Sequence, residues 1–135
     1  MIALPFTQVD AFAHAPFTGN PAAVMPLEEW LDDAVLQAIA AENNLAETAF
    51  LVKLPETSEA DYELRWFTPA VEVALCGHAT LASGHVLLAP DADSIRFRTR
   101  RAGDLTVSRA GQGHRLDLPA WGAQPIETPG WAGLL

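Results

Sequence analysis

The sequence predicts an α+β domain in which a strongly curved sheet surrounds one buried helix. Three observations lead there. Strand-like stretches outnumber helical ones and do not alternate with them in a regular βαβ pattern. The segment "EVALCGHATLASGHVLL", Glu72 to Leu88, reads as a helix from about Cys76, carries no formal charge after Glu72 and is apolar almost all the way round. A helix without a polar face needs cover on every side, which a sheet bent round it supplies.

The elements follow in order. "IALPFTQVDAFAH" alternates Phe6, Gln8, Asp10 and Phe12 with Thr7, Val9 and Ala11, which is strand spacing with polar groups on one face. "FTGNP" is a turn, because Gly tolerates positive φ and Asn-Pro resists helix. "AAVMPL" is a short second strand. From Leu31 the spacing turns helical: Leu31, Val35, Leu36, Ile39 and Ala40 share a face, Asp32 or Asp33 caps the start, and Asn43 and Asn44 stop it. "TAFLVKL" and "YELRWFT" are strands closed by Pro55 and Pro69. After the apolar helix, "SIRFRTR" sets Ile95, Phe97 and Thr99 on one face and arginines on the other. "DLTVSRA" and "HRLDLPA" form a hairpin across "GQG". These strands fill a first unit over residues 1–118. Residues 119–135 read as a tail, in which Thr128 and Pro129 open a helix that ends on apolar Trp131, Leu134 and Leu135. Such an ending predicts a partner surface or further chain.

The chain has 135 residues, half of them hydrophobic, which suits one domain with a real core. Eight basic against 17 acidic residues leave a net charge of −9, which argues against nucleic acid as a partner. No stretch approaches the ~20 apolar residues needed to cross a bilayer, so no membrane partner is expected. The opening residues lack a secretory pattern, and the single cysteine excludes an internal disulfide framework. The expected location is cytoplasmic.

Candidate chemistry gathers at the start of the buried helix. Its first N–H groups lack intrahelical partners and carry the positive end of the helix dipole, which suits a carboxylate or phosphate. Gly77 lets a ligand approach the backbone, and His78 offers a donor or proton carrier. Cys76 at a helix N-terminus is expected to have a lowered pKa, which would suit a base, although a buried cysteine is also ordinary packing. Cys76, His78 and His85 match no standard zinc spacing, and neither metal nor cofactor is expected. Glu47 in "ENNLAETAF" lies between a helix stop and an apolar strand, where desolvation would raise its pKa toward general acid/base use. An exposed loop glutamate is the competing reading. Gly19 and Asn20 in "FTGNPAAV" offer a backbone N–H and an amide for orienting a ligand, or simply a turn.

Taken in register, "QVDAF", "FTGNPAAV", "ENNLAETAFL" and "LRWFTPAVEVALCGHATLASGHVL" closely resemble the PhzF-like (phenazine biosynthesis-like) family, related to diaminopimelate epimerase. The resemblance runs from about Gln8 to Leu88 and more loosely to Leu118. It implies a diaminopimelate epimerase-like fold: two similar halves, each a rolled, barrel-like mixed β-sheet wrapped around a central helix, with a cleft between them. It implies a cofactor-independent isomerase acting on a small carboxylated metabolite, with Glu47 as catalytic acid/base. Gly19, Asn20, Gly77 and His78 would bind substrate. Cys76 matches the position of one of the two thiols of diaminopimelate epimerase, which makes it a second acid/base candidate. Family members are about twice this length. The resemblance therefore implies an N-terminal lobe that needs a second lobe or a homodimer partner. A racemase half using Cys76, and a non-catalytic binding half-domain, are the alternatives.

Overall fold

Residues 3–125 are described in the computed structural model. The elements are β1 (Thr7–Ala11), β2 (Asn20–Leu27), α1 (Asp33–Asn43), β3 (Glu47–Lys53), β4 (Tyr62–Phe67), β5 (Glu72–Val73), α2 (Gly77–Leu87), β6 (Ser94–Arg98), β7 (Asp104–Ala110) and β8 (Gly113–Asp117). The strands form one mixed sheet in the order β1-β2-β3-β4-β6-β7-β8, with β5 also paired to β4. The β2–β3 and β4–β6 pairs are parallel and the others antiparallel.

Both faces of the central strands are apolar because each face meets a helix, which explains the unbroken hydrophobic run in β3. On one face Ala22, Val24, Ala49, Leu51, Leu64 and Trp66 pack with α2 and with Phe97, Leu105 and Val107. On the other, Met25, Leu27, Phe50 and Phe67 pack with Leu36 and Ala40 of α1. Small residues bring α2 close to the sheet: Ala79, Thr80, Ala82, Ser83 and Gly84 are all buried. At Gly84 a Cβ would overlap the Val107 side chain, so β7 passes where only glycine leaves room. The two buried hydroxyls are satisfied within the helix, Thr80 Oγ1 donating to the Cys76 carbonyl at 2.6 Å and Ser83 Oγ to that of Ala79 at 2.7 Å.

The expected barrel-like closure is not met. β1 and β8 are the two edges of the sheet and do not pair with each other. Strands from both edges nevertheless reach α2, which lies against β1, β2, β3, β7 and β8. Between the edges a groove of about 370 Å³ runs along α2, lined by Val9, Asp10 and Ala11 on one side and His114 on the other. Leu81 and His85 form its floor, and His85 is exposed, so the helix is not covered on every side. The helix itself holds the two edges apart.

Smaller departures have local causes. β1 is shorter than its alternating pattern because Phe12 takes a left-handed conformation, φ 60°, and turns the chain away. β2 begins earlier, at Asn20, because Pro21 lies on the ladder with β1 opposite Asp10. Val35 is exposed, at 45% of its surface, since α1 buries only a narrow stripe. Asp32 occupies the N-cap position of α1 without a side-chain bond, while Asp33 turns to Arg65. β5 was not expected: two residues before the α2 start make a bridge to β4. The predicted tail helix from Thr128 lies outside the described residues.

No helix among the described residues is long and apolar enough to cross a membrane.

Candidate active site

Glu47 is the first residue of β3, and its position follows from the stop of α1. Asn44 adopts the left-handed conformation, φ 50° and ψ 37°, and its N–H donates to the Ala40 carbonyl. Asn43 Nδ2 donates to Thr48 Oγ1 at 3.1 Å, tying the helix end to the strand start. Residue alternation does the rest. Thr48 and Phe50 face α1, so Glu47, Ala49 and Leu51 face α2.

Cys76 is the N-cap residue of α2, extended at φ −143° and ψ 111°, and His78 is the second residue of the helix. The fold brings all three side chains together. His78 Nδ1 lies 3.3 Å from Cys76 Sγ, and His78 Nε2 lies 3.1 Å from Glu47 Oε2. The side chains are 9% exposed for His78 and 18% for Glu47. The Nε2–Oε2 approach lacks hydrogen-bond alignment, so both atoms are buried without a hydrogen-bond partner. Unmet polar atoms of this kind are uncommon in native structures, and each needs a reason.

The start of α2 adds to the polarity. The first hydrogen bond of the helix is Thr80 N–H to the Cys76 carbonyl at 3.2 Å, and no acidic residue occupies the first turn. The amides of Gly77, His78 and Ala79 have no intrahelical carbonyl partner.

The expected lowering of the Cys76 thiol is reversed. Burial pushes it up to about 11, the Glu47 carboxylate acts in the same direction, and the Ala79 and His78 amides only partly oppose them. Desolvation of a thiolate outweighs the helix dipole here. Cys76, His78 and Glu47 each offer a ligand atom within 4.8 Å of the others, a donor set that sequence spacing alone did not reveal. His85 is no part of the cluster. It lies two turns further along α2, where its ring meets that of His114 edge to face at 5.4 Å.

Asn20 opens β2 two residues before Ala22, which pairs with Glu47, so Asn20 lies on the same face of the sheet. Gly19 has φ +95°, and a Cβ there would come within 2.5 Å of the Ala11 carbonyl oxygen, so backbone packing already requires glycine. At Gly77 a Cβ would meet only Leu116 Cδ2, at an ordinary 3.8 Å; packing does not demand glycine there. Neither the α2 groove nor the larger cavity of about 750 Å³ near Leu4, Leu27 and Tyr62 includes the Glu47 cluster.

A mixed sheet carrying two helices in this arrangement is the fold of PhzF- and epimerase-like proteins, as comparison with known proteins shows. The sequence model of the PhzC-PhzF family, phenazine biosynthesis-like protein, matches residues 9–130. The chain belongs to that family. An uncharacterized isomerase of Pseudomonas aeruginosa is 56% identical over 129 residues, covering 93% of this chain and 48% of that protein. The human phenazine biosynthesis-like domain-containing protein is 48% identical over 128 residues, covering 90% of this chain and 44% of that one. Among solved structures, a PhzF-family protein of Enterococcus faecalis superposes with a TM-score of 0.75 at 46% identity, over 84% of this chain and 43% of the other. A predicted epimerase of Pseudomonas aeruginosa gives 0.66 at 31% identity, over 83% and 41%. The chain thus spans about half the length of the curated relatives it matches.

Proposed function

We propose that this chain is one lobe of a PhzF-like isomerase that moves a proton on a small carboxylated metabolite. The observation that carries the reading is the pair of buried, unpartnered atoms, Glu47 Oε2 and His78 Nε2, beside the free amides that open α2. In this reading the substrate carboxylate lies against the Gly77 and His78 amides and His78 Nε2. Glu47 removes the proton from the adjacent carbon. The electron pair left behind spreads into the carboxylate and into a C=C bond of the substrate conjugated with that carbon, and the helix amides stabilise the charge that grows on the carboxylate. Glu47 then delivers a proton to the far end of that allylic unit as the C=C bond shifts by one position. Its carboxyl exchanges with solvent between the two steps, so D2O labels the product, and atoms and charge balance without an added reactant. Asn20 and the Gly19 turn orient the substrate from the β2 side.

A single carboxylate suffices for transfer on one face, whereas inversion of a stereocentre needs a second group on the opposite face. The raised Cys76 thiol is a poor base, which favours the isomerase over a racemase built on Cys76.

The roll of the sheet around α2 and the roof of the cleft are completed by a second lobe or a second copy of the chain. The open sheet supports this, as does the length of the relatives. The test is deuterium incorporation from D2O into a panel of small carboxylic acids, run on the two-lobed assembly. Exchange in the parent protein and its loss in Glu47→Gln, with an unchanged circular dichroism spectrum, is the expected result. Undiminished exchange in Glu47→Gln sinks the assignment.

A further inference from the structure

We infer that Cys76 is a positioning residue: its S–H donates to Nδ1 of His78 and so places the single imidazole proton on Nε2, the nitrogen that faces Glu47. The inference deepens the role proposed for His78 and rests on that reading for its functional meaning, though not for its test.

A neutral imidazole has one donor nitrogen and one acceptor nitrogen, and whatever the first contacts decides what the second presents. Here Sγ is 3.3 Å from Nδ1. The sulfur lies at the N-cap without a side-chain cap bond, and His78 Nδ1 is the side-chain atom at hydrogen-bond distance from it, the Glu47 carboxylate being its other polar neighbour. The thiol holds its proton up to about pH 11, so over the physiological range it is a donor. Nδ1 must then accept, and Nε2 carries the hydrogen. That hydrogen sits 9% exposed on a ring beside Glu47 Oε2, with no hydrogen bond of its own. It is therefore available to a carboxylate that enters the site. The opposite tautomer would present a lone pair to an incoming anion and repel it.

The rival arrangement is one in which the thiol donates to the Glu47 carboxylate instead and His78 Nδ1–H points at sulfur. Long-range proton–nitrogen correlation spectra of the 135-residue chain with labelled histidine separate the two. They are recorded above the ordinary histidine range of about 6.5. Four histidines contribute signals, and His78→Asn identifies those of His78 by their loss.

The wild-type chain is expected to show the Nε2–H pattern, and Cys76→Ser, which keeps a donor, is expected to retain it. Cys76→Ala is expected to raise the Nδ1–H population about fivefold, the ratio that one ordinary hydrogen bond controls. An Nδ1–H pattern in the wild type overturns the inference, and so does a Cys76→Ala spectrum unchanged from it. If Cys76→Ala does not fold, the wild-type spectrum alone decides. No turnover is measured, so a failure of the isomerase reading leaves this result standing, and the reverse also holds.

Discussion

Two polar clusters buried among the described residues differ in what they leave unsatisfied. Arg65, on the α1 face of β4, is only 2% exposed, and two of the three nitrogens of its guanidinium hydrogen-bond to carboxylates. Nε and one terminal nitrogen each donate to Glu72 at 2.8 Å, and the same terminal nitrogen reaches Asp33 at 2.9 Å. The rings of Trp30 and Phe67 lie 5.2 and 5.0 Å from its central carbon. On the opposite face, Glu47 and His78 touch at 3.1 Å and still leave an oxygen and a nitrogen without hydrogen bonds. A charge buried for the sake of the fold must be fully paired, because each unmet group costs about 1–3 kcal/mol. Groups that bear that cost beside free helix amides are better explained by a ligand.

The contrast can be broken most directly at Glu47. In the two-lobed assembly Glu47→Gln is expected to lower turnover about a thousandfold, within the range typical of a lost general acid/base. Its stability should change by less than ~1 kcal/mol, since no native hydrogen bond to Oε2 is lost. A large destabilisation in a urea titration would mean that Glu47 is structural after all. Arg65→Met should do the reverse. It removes the bonds to Glu72 and Asp33, whose carboxylates are 34% and 73% exposed and stay solvated, so it should cost about 2 kcal/mol in the same titration, with little effect on the chemistry of bound substrate. At Cys76 burial pushes the thiol from its ordinary 9.0 up to about 11, so the thiolate fraction at neutral pH falls about a hundredfold. Alkylation by iodoacetamide should be slower than that of a free thiol by at least that factor. A fast-labelling Cys76 would restore it as a base.

The smallest effect expected is on acid stability. The bond from Arg65 holds the Glu72 carboxyl below its ordinary 4.5. Its contribution is therefore complete above about pH 4.5 and is lost as pH falls through the lower folded value. Glu72→Gln should flatten that part of the stability curve by about 1 kcal/mol, read from thermal midpoints at successive pH values.

Much of this was legible before any coordinates. Alternation in β6 and the apolar run of β3 were readable because side-chain period depends only on local backbone geometry. The meeting of Glu47 with His78 was legible only through the family resemblance, since no local pattern links β3 to the start of α2. Arg65 was invisible for a different reason. "YELRWFT" reads as a strand whichever face its arginine takes, and only the positions of Asp33 and Glu72 make burial tolerable. β5 was missed because two residues carry no periodicity. The direction of the Cys76 shift depended on burial, which the helix N-terminus alone does not specify. Closure of the sheet was expected from a helix with no charged residue, but an uncharged His85 can face water as readily as a core.

The order of strands in the sheet has a consequence for how the lobe is made. Every strand pairs with one already synthesised: β2 with β1, β3 with β2, β4 with β3, β5 and β6 with β4, and so on to β8. A chain emerging from the ribosome can therefore lay down its sheet at a single growing edge, without waiting for distant sequence. Glu47, Cys76 and His78 all precede β6 to β8 in the chain, so the residues of the reactive corner are synthesised before the strands that complete the core around α2.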